Sequence, residues 1–191
     1  NRCRRQRQMC IRDSFKTAPE VFRENGYETY NSGKDDYNFF YKKSDLYSIM
    51  DSKVENKLAK YGKSGQGSGD WSDIKSQKPF FGQVRVSGGK DVGDQLPDLL
   101  AKSGYPVVKA SQVTVPPQYP DIHEMRYNIA MHMNSIMQTD IEIGKILSRL
   151  ERDGLTDKTI VFVFSDHGSD LPRSKEFCYI EGLHVLSLIH I

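Results

Sequence analysis

The chain has 191 residues, 27 of them Lys or Arg against 25 Asp or Glu, for a formal net charge of +2. That surplus lies in residues 1–13, whose five Arg and one Asp contribute +4 and leave −2 for the rest, so net charge gives no case for a nucleic-acid partner. No run of about 18 apolar residues occurs, so no transmembrane helix is expected, and Cys178 alone lies outside residues 1–13, too little for a disulfide framework.

The two ends read as foreign to the protein. Met9-Cys-Ile-Arg-Asp13 with the start of Ser14 back-translates to ATG TGT ATA AGA GAC AG, and Leu186-Ser-Leu-Ile-His-Ile191 to CTG TCT CTT ATA CAC AT. These strings are reverse complements, which no folding constraint produces, and they resemble a transposon-end sequencing adaptor. Arg4-Arg-Gln-Arg-Gln8 fits the adaptor's continuation, CGT CGG CAG CGT CAG. The expectation is that residues 1–13 and 186–191 are translated adaptor, to be set aside as expression scars are, and that 14–185 is a piece of a longer catalytic domain. Codons other than these in the DNA would refute the adaptor origin.

Within 14–185, Ala18-Pro-Glu-Val-Phe-Arg-Glu-Asn-Gly26 predicts a short helix with Pro in its first turn and Gly at its stop. Tyr27–Ser32 follows as a strand running into Gly33-Lys34. Residues 35–75 are polar and weakly periodic, with one helix over 48–60 and a flexible Gly/Ser loop over 62–69. Pro79–Ser87 reads as a second strand that turns at Gly88-Gly89-Lys90. Residues 105–120, with Pro106, Pro116, Pro117 and Pro120, form an extended connector. Asp121–Asp153 is the strongest helix, with an Asp121/Glu124 capping box and Gly154 as the stop. Its apolar stripe is Met125, Ile129, Met133, Ile136, Ile143, Leu147 and Leu150, a core face at helical spacing. Asp140 falls within that stripe as a buried structural carboxylate, while His123 and His132 read as solvent-facing.

The segment Thr159-Ile-Val-Phe-Val-Phe-Ser-Asp-His-Gly168 says most about function. Its β-branched and aromatic run predicts a central parallel strand buried on both faces. In open α/β sheets ligands sit just outside the carboxyl ends of the strands, and here that end carries the potential metal ligands Asp166 and His167.

Taken together, Phe15-Lys-Thr-Ala-Pro-Glu, Ser32-Gly-Lys34, Pro79-Phe-Phe81, Val113-Thr-Val-Pro-Pro117 and Asp153–Gly168 continuing to Leu183-His-Val185 resemble the catalytic domain of the sulfatases. The likeness is to the heparan N-sulfatase-like branch of the alkaline-phosphatase superfamily. It implies an α/β fold, an alkaline-phosphatase-like three-layer sandwich with a mostly parallel sheet, here incomplete. It implies a sulfuric ester hydrolase acting on sulfated carbohydrate with one divalent cation, usually calcium, and a periplasmic or secreted location. Asp166 and His167 match the later pair of metal ligands. Lys34 and Lys175 match lysines that meet the sulfate, Lys175 also as the catalytic group that protonates the leaving oxygen, and Lys90 stands nearest to a substrate-binding histidine of relatives. The histidine many relatives carry two residues after that first lysine is Asp36 here. The formylglycine nucleophile, made from Cys or Ser in C/S-x-P-x-R, and two further aspartates are expected upstream, so the chain alone is expected to be inactive. Two alternatives remain: a phosphodiesterase or phosphoethanolamine-transferase-like metalloenzyme, and a non-catalytic module that binds sulfated glycans.

Overall fold

A computed structural model describes residues 15–33, 37, 39, 41–49, 58–59, 69–74, 78–89, 93–175 and 177–190. The chain divides into two units, residues 1–85 and 86–191, and each is described by itself. The expected flexible loop (apart from Gly69), most of the expected helix over 48–60, Lys34 and Lys90 lie outside the described residues.

In the first unit, helix α1 (Ala18–Glu24) begins at Thr17, whose side chain and backbone both pair with the Glu20 carboxylate in a capping box. It ends before Gly26, whose φ of +85° is the left-handed conformation a helix stop requires. The chain then enters strand β1 (Glu28–Ser32), which pairs in parallel with β4 (Phe80–Val84), Glu28 opposite Phe80 and Ser32 opposite Val84. Phe22 of the helix stacks on Phe81 with ring centroids 4.3 Å apart, which fastens α1 to the sheet. Tyr30 is buried at the centre of β1, and a Cβ at Gly82 would come within 2.1 Å of its ring, so the glycine makes room for the tyrosine.

Between these strands lie β2 (Tyr41–Lys42), helix α2 (Lys43–Leu46), β3 (Leu58–Ala59) and a 3-10 turn over Trp71–Asp73. Tyr41, Leu46 and Tyr47 form a small core there, and Thr29 Oγ1 donates to Leu46 O at 2.8 Å. The helix expected over 48–60 is not borne out where it is described. Ser48 and Ile49 instead donate their N–H groups to Thr29 O at 3.0 and 3.1 Å, and residues 58–59 pair with β2.

The second unit is organised by α4 (His123–Arg152), against which pack helix α3 (Leu96–Lys102) and the connector 105–120. The connector is irregular as expected, apart from a 3-10 turn at Ala110–Gln112. Leu96, Leu100 and Met131 make one cluster, and Val113, Ile129 and Ala130 a second. Four expectations about α4 are corrected. Its buried face is rotated from the expected stripe: Met133 and Ile136 are exposed, while Asn134 and Ser135 are buried and Met137 and Ile141 pack inward. The reason is Asn134, which is 1 % exposed; its Oδ1 accepts from Val108 N–H at 2.8 Å and its Nδ2 donates to Val108 O at 3.0 Å. One amide side chain thereby satisfies both backbone groups of a connector residue that has no ladder partner. Asp140 accordingly faces solvent. The capping box at Asp121 does not form, because that carboxylate pairs with Arg126 at 2.6 Å; the bond holds the Asp121 carboxyl below its usual range. His132 is half-buried rather than solvent-facing, with Nδ1 3.3 Å from Gly89 O.

After Gly154, which stops α4 as expected with φ +67°, strand β5 (Val161–Phe164) pairs antiparallel with β6 (Ser187–His190). The expected burial on both faces is corrected too. Val161 and Val163 are half-buried, but Phe162 and Phe164 stand 61 % and 72 % exposed on the opposite face. Among the described residues β5 has this one antiparallel neighbour, laid beside it after helix α5 (Ile180–Leu183) by residues 187–190, within the tail expected to be adaptor-derived. The parallel pairing in the described fold is β1 with β4. No helix among the described residues is long and apolar enough to cross a membrane.

Candidate active site

β5 ends at Phe164, and the next residues are those expected to carry the chemistry. Ser165 Oγ donates to His167 O at 2.6 Å, which turns the chain sharply, while Ser165 N–H donates to Leu186 O of the tail at 3.0 Å. Asp166 and His167 therefore emerge together at the carboxyl end of the strand, with Asp166 Oδ1 3.7 Å from His167 Nε2. Asp166 is 75 % exposed, whereas the imidazole is largely buried. His167 Nδ1 lies 2.7 Å from Gly168 O. A carbonyl can only accept, so Nδ1 is the donor in this contact; in the neutral imidazole that leaves the lone pair on Nε2, the arrangement by which a ligating histidine is usually oriented.

The geometry suits a shared cation. Two donors of one cation lie roughly 3.4–3.8 Å apart in a tetrahedral site with bonds of about 2.1–2.3 Å, and roughly 3.3–3.7 Å apart at right angles with calcium's bonds of about 2.3–2.6 Å; 3.7 Å falls within both. These two donors fit part of a metal site. Among the described residues no group of three or more His, Cys, Asp or Glu side chains converges on one.

Lys175 stands in the loop that follows. Its Nζ is 3.2 Å from Asp170 Oδ1, and its backbone N–H donates to Ser169 O at 2.9 Å. The residue before it, Ser174, is 1 % exposed, and its Oγ donates to Glu181 O at 2.8 Å. Gly168, next to His167, packs directly on this hydroxyl: a Cβ there would lie 2.3 Å from Ser174 Oγ and 2.1 Å from Glu181 O. Gly182 closes the other side, where a Cβ would fall 2.4 Å from both Ser174 O and Phe177 O. Arg173 adopts φ +67°, a left-handed conformation costing a non-glycine residue about 1–3 kcal/mol. Its guanidinium lies 4.3 Å from the Tyr179 ring centroid, and its Nε is 3.8 Å from Glu181 Oε1. Tyr119 donates to Pro172 O at 2.7 Å, and burial followed by the Glu181 charge pushes its phenol above the usual range.

Asp166, His167 and Lys175 thus stand on one loop, whose two sides meet at Gly168 and Ser174, and the Lys175 ammonium pairs there with Asp170. Lys34 and Lys90 lie outside the described residues. Asp170 and Ser174 take part in this loop without having been singled out in the sequence. The glycines at 168 and 182 were their only local signal, because both partners of Ser174 are reached through tertiary contact.

A family model described as Sulfatase matches residues 9–185, and the chain belongs to the sulfatase family. It is 35 % identical over 81 residues to the ulvan-active sulfatase of Formosa agariphila, a match covering 42 % of this chain and 14 % of that protein. The chain therefore spans a small part of this curated relative's length. No solved structure matches it. Membership implies an alkaline-phosphatase-like α/β fold, with which the mixed α/β units and the parallel β1–β4 pair are consistent.

Proposed function

We propose that the full-length enzyme hydrolyses sulfate esters or N-sulfo groups on a sulfated carbohydrate, with Asp166 and His167 among the ligands of one divalent cation, calcium by preference. The carrying observation is the pair of donors 3.7 Å apart at the carboxyl end of β5, within the residues matched to the family. A cation bound there would neutralise sulfate oxygens and orient the nucleophile. Asp166 offers the anionic oxygen such a cation prefers, and His167 adds the Nε2 lone pair fixed by its Gly168 contact. Lys175 meets the charge that grows on the leaving oxygen or the sulfate, with Lys34 and Lys90 as further contacts to the bound sulfate. The nucleophile, a formylglycine, and the remaining cation ligands come from other parts of the full-length protein, which acts in the periplasm or outside the cell.

One observation favours a second reading. An imidazole is a poor ligand for calcium and a good one for zinc, and a two-zinc phosphodiesterase would use such an Asp-His pair. Elemental analysis and turnover separate the two. The expected result is one calcium per chain, loss of aryl-sulfate hydrolysis on chelation, and recovery with added calcium. Asp166→Ala should abolish both the metal and the recovery. Two zinc ions with preferential hydrolysis of an aryl phosphodiester would establish the second reading instead.

A further inference from the structure

We infer that Ser174 is a positioning residue for Lys175, fixing the ammonium relative to the Asp166-His167 pair through a buried hydroxyl clasp; this rests on the role proposed above for Lys175. Lys175 lies nine positions after Asp166, enough for a surface loop to place the lysine almost anywhere. The structure removes that freedom at one point. Ser174 precedes Lys175, Gly168 follows His167, and the two touch through the Ser174 hydroxyl, which is 1 % exposed. The hydroxyl is held in turn by Glu181 O at 2.8 Å, and Lys175 N–H by Ser169 O at 2.9 Å. The backbone of Lys175 is therefore tied both to the segment leaving the metal-ligand pair and to helix α5.

Gly168 explains why the residue before the lysine carries a small hydroxyl. The space a Cβ would need is taken by Ser174 Oγ and Glu181 O, so the hydroxyl occupies the place where the two strands of the loop meet. Its removal leaves Glu181 O without this donor and a void beside Gly168, which lets the segment carrying Lys175 shift. The Asp170 ion pair does not substitute, since it joins two side chains of the same loop and an exposed pair of this kind is weak. Misplacement of a reacting group by about 1 Å can cost as much as 10²-fold in rate.

The test is a double-mutant cycle on the full-length enzyme with an aryl sulfate. Ser174→Ala should lower kcat about 10–100-fold, with KM changed less than about 2-fold and metal content unchanged. In a Lys175→Ala background, adding Ser174→Ala should change kcat by less than about 2-fold, because the serine acts through the lysine. Unchanged kcat in Ser174→Ala, or a loss that multiplies in full onto that of Lys175→Ala, overturns the inference while leaving the lysine's role intact. If Lys175→Ala itself retains full kcat, the lysine's role fails and the positioning role falls with it. Should Ser174→Ala not fold, Ser174→Cys keeps a donor at the same place, weaker and somewhat larger than the hydroxyl. It must show an intermediate loss of kcat that vanishes in the Lys175→Ala background, and the absence of either overturns the inference.

Discussion

Lys175→Ala in the full-length enzyme is expected to lower kcat about 10²–10³-fold, the loss typical when one preorganised charge-stabilising donor is removed. In the role proposed above the lysine would meet charge that appears only as the bond to the leaving oxygen breaks, so its effect should fall on kcat more than on KM. Folding should be almost untouched. The Nζ is 3.2 Å from Asp170 on a half-exposed surface, and such pairs contribute roughly 0–1 kcal/mol. Lys175→Arg should restore only part of the rate, because a planar guanidinium cannot occupy the space of a compact ammonium with the same donor directions. Steady-state kinetics paired with thermal melts make the comparison. Full kcat in the alanine variant would reduce Lys175 to the surface partner of Asp170.

Asn134→Ala is the substitution expected to cost most in folding without touching the site. It removes both hydrogen bonds to Val108 and leaves an N–H and a C=O in a half-buried connector, each costing about 1–3 kcal/mol when unsatisfied. A loss of about 2–4 kcal/mol in urea denaturation is expected, and a loss below about 0.5 kcal/mol would show the clasp to be incidental. Asn134→Asp gives the same result a pH signature. Its carboxylate still accepts from Val108 N–H but turns a charged oxygen toward Val108 O. Burial and that carbonyl raise the folded-state value of the new acid above its unfolded value of about 3.9. The protonated acid can donate to the carbonyl, so the deficit relative to wild type should be largest at neutral pH and shrink as pH falls through the raised value.

Of these two residues only Lys175 was singled out in the sequence. The place of the Asp-His pair at the end of β5 could be read because an apolar run breaks abruptly into polar residues, a purely local signal. The first helix, the β1 and β4 strands and the stop at Gly154 were legible for the same reason, since caps, glycines and β-branched runs act over a few residues. The buried face of α4 was not. That helix carries apolar residues around much of its circumference, and periodicity alone chose Met133 and Ile136. The connector instead selected Asn134, whose partner lies 26 residues away. Asp121 was lost as a cap because Arg126, five residues on, competes for the same carboxylate. The surroundings of β5 escaped for a third reason: composition reports that a strand is apolar, not which neighbours it finds. Ser174 shares the fate of Asn134, as a small polar residue whose importance comes from what it touches.

The contact of Tyr30 with Gly82 has a consequence for how the chain encodes its own alignment. Parallel strands joined by a long excursion have no tight turn to count residues for them, and a slip of one position exchanges the two faces of a strand. Here Phe81 and Gln83 flank the glycine on β4, and either of them beneath the Tyr30 ring would place side-chain atoms where the ring already lies. Of the five residues of β4, only Gly82 lacks the side chain that would collide. The five residue pairs from Glu28–Phe80 to Ser32–Val84 are thus set by a single omission: a missing methyl group acts as the index mark against which the two strands are read.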